Sequence, residues 1–83
     1  MTLKQQNVVD LVERHLATHQ PEDYRLNVMR ERVRQSGDWF YVVVQPSQAD
    51  VRASDYNNRL SDTEEDIERQ EHLKVVLVPI LPD

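Results

Sequence analysis

Residues 36–46, Ser36-Gly37-Asp38-Trp39-Phe40-Tyr41-Val42-Val43-Val44-Gln45-Pro46, decide how this chain folds. Trp39 to Val44 are aromatic or β-branched without a break, side chains that suit a pleated surface and lose rotamer freedom in a helix. The run reads as a strand. Pro46 closes it, having no N–H to give to a ladder. Ahead of it stands Gly37, the only glycine in the chain, in the kind of dipeptide that makes a tight hairpin turn.

A turn there requires a partner strand upstream. Tyr24-Arg25-Leu26-Asn27-Val28 alternates with its apolar residues at even numbers, whereas Met29-Arg30-Glu31-Arg32-Val33-Arg34 places them at odd numbers. That change of parity predicts a bulge near Val28 and Met29. Leu26, Met29 and Val33 also fit a helical i, i+3, i+7 pattern, so on its own Tyr24–Arg34 is open between strand and helix. The neighbouring strand and turn favour the hairpin. With Ser36-Gly37 as the two turn residues, Arg34 would face Trp39, Arg32 would face Tyr41, Val33 would face Phe40 and Met29 would face Val44.

Helices are expected on either side. Thr2 and Gln5 have capping-box spacing, predicting a helix from about Leu3. Val8, Val9, Leu11, Val12 and Leu16 fall on one side of it, and Pro21 ends it near Thr18. After a connection from Ser47 to Ala53, Ser54 is the expected N-cap of a second helix reaching Glu71, with Tyr56, Leu60, Thr63 and Ile67 as a narrow apolar line. Ser61-Asp62-Thr63-Glu64 repeats the capping-box form and could break that helix. Lys74 to Ile80 is an apolar run of strand length, suited to burial on both faces or by a partner. A strand, a helix and a strand normally close as a parallel crossover. The expected fold is therefore α+β, a two-layer α-β-β-α-β domain spanning 1–83, with both helices on one face of a three-stranded mixed sheet. The free edges of such a sheet invite pairing with a second copy.

Composition narrows function by exclusion. In 83 residues there is one small domain's worth of chain, with little material for a deep enclosed pocket. No cysteine is present, which rules out a disulfide staple and a thiolate nucleophile and fits a reducing, cytoplasmic setting. The start of the chain lacks a signal-peptide pattern, and no apolar run is long enough for a membrane helix. One glycine cannot make a phosphate-cradling loop, and Ser36, Ser47, Ser54 and Ser61 lack the glycine-flanked setting of a hydrolase nucleophile. Val42-Val43-Val44-Gln45 offers no carboxylate or lysine to a metal-dependent nuclease. His15 and His19 have the i, i+4 spacing of metal ligands but no third ligand nearby, and read as packing residues at a helix end. No catalytic residue, metal or cofactor is expected.

Charge is unevenly placed. Asp55 to Glu71 holds seven acids and two arginines, the whole net charge of −5, and the rest of the chain carries eight of each sign. Glu64 and Glu68 represent a solvated helix face or a docking face for a basic partner. Opposite in sign is the hairpin, where Arg30, Arg32 and Arg34 stand near Trp39 and Tyr41, suited to cation–π pairing, to covering a bare sheet face, or to stacking single-stranded nucleic acid. Tyr56 and Arg59 form the remaining candidate cluster, Tyr56 read most simply as core. The expected role is a non-catalytic protein-interaction or self-association module acting as a homodimer or with a protein partner. The alternative is a weak nucleic-acid binder using the arginine and aromatic face. Exposure of Trp39 and Tyr41 beside the arginines would raise the alternative above self-association.

Overall fold

The computed structural model describes residues 5–82, so Thr2 and the expected helix start at Leu3 lie outside the described residues. Helix α1 runs Gln5–Leu16 and tightens into a 3-10 turn at Ala17–His19; Gln20 is extended, as a residue before proline must be. Strand β1 (Leu26–Ser36) and strand β2 (Trp39–Pro46) form an antiparallel hairpin. Helix α2 (Ala53–Glu71) crosses to strand β3 (Lys74–Pro79), which lies parallel to β2 and leaves β2 central. This is the α-β-β-α-β order and mixed sheet that the patterning implies, with both helices packed on one side. Tyr24–Arg34 is settled as loop and strand, not helix.

Three local features differ from expectation. The turn residues are Gly37 and Asp38, with Ser36 opposite Trp39, because Gly37 takes φ 59° at the first turn position, the requirement of a II′-type hairpin. Arg34 therefore faces Tyr41, not Trp39, in the place expected of Arg32; Val33 faces Val42, not Phe40; and past the irregular stretch that takes up Arg32, Val44 meets Val28, not Met29. Between the turn and the bulge the slip is two residues, so each side chain there keeps its face; beyond the bulge the offset is one residue. The bulge is larger than one residue. Four residues, Met29 to Arg32, lie between Val28 and Val33, whereas only Val43 separates their partners Val44 and Val42. The extra length lets Arg30 reach back to Asp10 at 2.6 Å and to Glu13, both on α1. Bulges re-aim side chains in this way.

Helix α2 starts one residue before Ser54, with Arg52 in the cap position and no capping side chain. The second capping-box pattern does not break it: buried Thr63 donates its hydroxyl to the Arg59 carbonyl at 2.8 Å inside a continuous helix. His72 ends it in the left-handed region, its N–H bonded to the Glu68 carbonyl at 3.0 Å. Between the helices and the sheet, Val8, Val12 and Leu16 meet Tyr24, Leu26, Phe40, Val42, Val44, Leu60, Ile67, Val75 and Leu77 in one core. Tyr56 is 4% exposed within that core. Its hydroxyl donates to the Val44 carbonyl at 2.7 Å, with the Ile80 carbonyl at 3.0 Å, and burial pushes its pKa up to about 12.

Candidate functional site

Alternation along β2 sends Phe40, Val42 and Val44 to the helices and Trp39, Tyr41 and Val43 to the other side. Across the ladder, Lys74, Val76 and Val78 stand beside those three in order, and Ser36 and Arg34 pair with Trp39 and Tyr41. No element of the described chain packs over this face. Trp39 is 42% and Tyr41 37% exposed, while Val43, Val76 and Val78 are half-buried by their neighbours alone. Arg32, Arg34 and Glu31 join Tyr41, Val43 and Val78 around a shallow depression of about 450 Å³. Lys74 holds its ammonium 5.7 Å from the centre of the Trp39 ring. The result is an apolar centre, two aromatic rings on one strand, and cations around the rim.

Of the residues singled out in the sequence, Arg32, Arg34, Trp39 and Tyr41 come together here. Arg30 does not; the bulge takes it to α1. The cation at Trp39 is Lys74, which sequence reasoning missed because only the parallel β2–β3 register brings it there. Val76 and Val78 were signalled only by the uninterrupted apolar run of β3.

The acidic helix also looks different once its partners are known. Asp55 accepts from the Tyr24 hydroxyl at 2.9 Å and from Arg59 at 3.0 Å, and the Arg59 bond, followed by the tyrosine's, holds its carboxyl below the usual range. Arg59 also donates to the His19 carbonyl at 2.9 Å. This triad walls a polar cleft of about 780 Å³ at the start of α2. Tyr56 is buried and its hydroxyl bonded, so it belongs to the core instead of a contact surface. Asp66 meets His19 at 2.6 Å and Arg69 at 2.5 Å, and Glu71 meets His15 at 3.3 Å. The two histidines thus join α1 to α2, and no group of three or more metal-binding side chains occurs among the described residues. Glu64 turns to β3 and accepts the Leu77 N–H at 2.7 Å. Glu68, Asp62 and Glu65 stand exposed. The acidic face is therefore narrower than the count of acids suggests.

No helix among the described residues is long and apolar enough to cross a membrane. The chain matches no protein-family model, no curated protein and no solved structure with which it was compared.

Proposed function

We propose that this protein is a non-catalytic protein-interaction module whose working surface is the open face of the sheet, closed in use by the same face of a second copy. The observation that carries the reading is the row Val43, Val76 and Val78 lying across two strands beside Tyr41 and Trp39 with no helix over it. A sheet face with an apolar centre is ordinarily packed against another layer. Trp, Tyr and Arg are also the residues that dominate protein contacts, with charge at the rim. Two of the three large apolar side chains most exposed in the described chain, Trp39 and Tyr41, lie on this face, so a second copy could offer the same rings in return.

Sedimentation across the micromolar range tests it, with Trp39 emission followed in parallel. Dimer formation accompanied by a blue shift, both lost in Val76→Glu, is the expected result. A strict monomer up to high micromolar concentration overturns the reading.

Trp39 and Tyr41 do stand exposed beside Arg32, Arg34 and Lys74, the arrangement that speaks for the alternative, a platform for single-stranded nucleic acid. The apolar row Val43, Val76 and Val78, which offers a base edge nothing to bond, keeps self-association ahead of it. Two rings two residues apart on a strand are roughly 7 Å apart, enough to take successive bases if the nucleotide chain is extended. Retardation of an oligonucleotide at low salt, abolished by replacing Arg32, Arg34 and Lys74 together, would support it. Binding that ignores either salt or those three residues would remove it.

A further inference from the structure

The outer edge of β3 holds a group that the open face does not use. In a strand the N–H and C=O of one residue point the same way, and successive residues alternate. Ile80 donates its N–H to the Val44 carbonyl at 3.0 Å, so even-numbered residues of this segment face β2 and odd-numbered ones face outward. The outward set is Val75, Leu77 and Pro79, the last with a carbonyl only. Val75 and Leu77 are symmetric about Val76. An antiparallel copy of β3 would place Val75 opposite Leu77 in both directions and make four N–H···O bonds. Joined in this way, the two sheets would be continuous and six-stranded.

One half of that donor set is occupied within the chain. Glu64, reaching over from α2, accepts the Leu77 N–H at 2.7 Å. It is half-buried there, and burial raises its pKa while the Leu77 bond draws it back. Solvent is one helix face away and would hydrate this carboxylate without that penalty. The opposite edge of the sheet is closed in the same manner: the Gln20 side-chain amide accepts the Leu26 N–H at 2.8 Å and donates to its carbonyl at 3.0 Å. Free strand edges are aggregation hazards that proteins cover or interrupt.

We propose that Glu64 is an edge lock: its carboxylate occupies the Leu77 N–H that the β3 of a second copy would otherwise take, and the surface it closes is a homotypic strand-pairing site centred on Val76.

Glu64→Ala removes the lock and Glu64→Gln keeps an acceptor oxygen in place. Sedimentation should give Glu64→Ala a higher mass than the wild type at equal concentration, a doubling where the wild type is a monomer, with the dissociation constant of the edge-pairing step lowered about tenfold or more. Hydrogen exchange at Val75, whose N–H gains a partner, should slow at the same time, and Glu64→Gln should match the wild type in both mass and exchange. A Glu64→Ala protein that keeps the wild-type mass overturns the proposal. So does one that gains mass while the Val75 amide exchanges as fast as before, since the new contact then lies elsewhere. If the alanine variant does not fold, Glu64→Asp, charged but too short to reach Leu77, is measured for the same two outcomes.

Discussion

The two faces of the sheet are made from alternate residues of the same strands, yet one is a core and the other is a surface. On the helix side, Val42 and Val44 are fully buried and Phe40 nearly so; on the open side, the larger Trp39 and Tyr41 keep 42% and 37% of their surface. Strand propensity does not separate the two sets, all of them aromatic or β-branched. What separates them is cover: α1 lies against β1 and α2 against β3, both on one side. The comparison teaches that apolar content of a strand reports that it can be buried, and the helices report which half of it is buried within the chain.

The largest expected effect tests that contrast directly. Phe40→Ala should destabilise the fold by about 3–5 kcal/mol, because a large buried side chain is removed and the cavity relaxes only partly. Tyr41→Ala, one residue along, should cost the monomer only about 1 kcal/mol, the loss of an aromatic from a strand surface without a core cavity. Urea unfolding at low protein concentration measures both. Equal losses would mean that the open face is already covered, and would make the dimer obligatory instead of optional.

A smaller difference is expected between two tyrosines. Tyr56→Phe strips a hydroxyl from the Val44 and Ile80 carbonyls, and because the Val44 carbonyl keeps the Ile80 N–H, the cost is that of one lost hydrogen bond, about 0.5–1.5 kcal/mol. Tyr41→Phe removes a solvated hydroxyl and should leave stability unchanged. The burial that pushes the Tyr56 pKa up to about 12 also keeps it a donor at every ordinary pH. Its contribution should therefore be independent of pH, unlike the ion pairs of the helix seam. Urea midpoints for Tyr56→Phe that converge on the wild type at neutral pH would show that the Ile80 N–H and water satisfy the two carbonyls without the hydroxyl.

The contrast also sets what could be read from the residues. The faces were legible because the side-chain period of a strand is two: the hairpin register expected from Ser36-Gly37 is off by two residues, and Arg34, Tyr41 and Trp39 still share a side. The parity change at Val28 and Met29 marked the bulge but not its size, which depends on Arg30 reaching Asp10 and Glu13 across the fold. Long-range partners were out of reach for the same reason. Nothing in the spacing of His15 and His19 names Glu71 and Asp66, and nothing in the acids of α2 separates Glu64, which caps a strand edge, from Glu68, which meets solvent. Pairings of this kind depend on the crossing of α1, α2 and β3, which local pattern does not encode.

The smallest effect concerns pH and contrasts the helix seam with the sheet edge. The His19 ring, through its hydrogen bond, and then Arg69 and His15 hold the Asp66 carboxyl below its usual value of 3.8. A depressed carboxyl stabilises the fold above its ordinary pKa, and that contribution is lost as pH falls through the lowered one. Asp55, lowered by Arg59 and Tyr24, adds a contribution of the same sign. Glu64 has the opposite sign. Its pKa is raised by burial above the usual 4.5, so its share is fully present below that value and is lost as pH climbs through the raised one. Acidification from about pH 5 to about pH 3 should therefore weaken the fold through the two aspartates and relieve it through Glu64, leaving a shallow net loss. Asp66→Asn should flatten the loss, and Glu64→Gln should steepen it by removing the relief. Urea midpoints of the three proteins across that range measure the slopes. A wild type that gains stability on acidification would place the edge above the seam in weight, reversing the order drawn here.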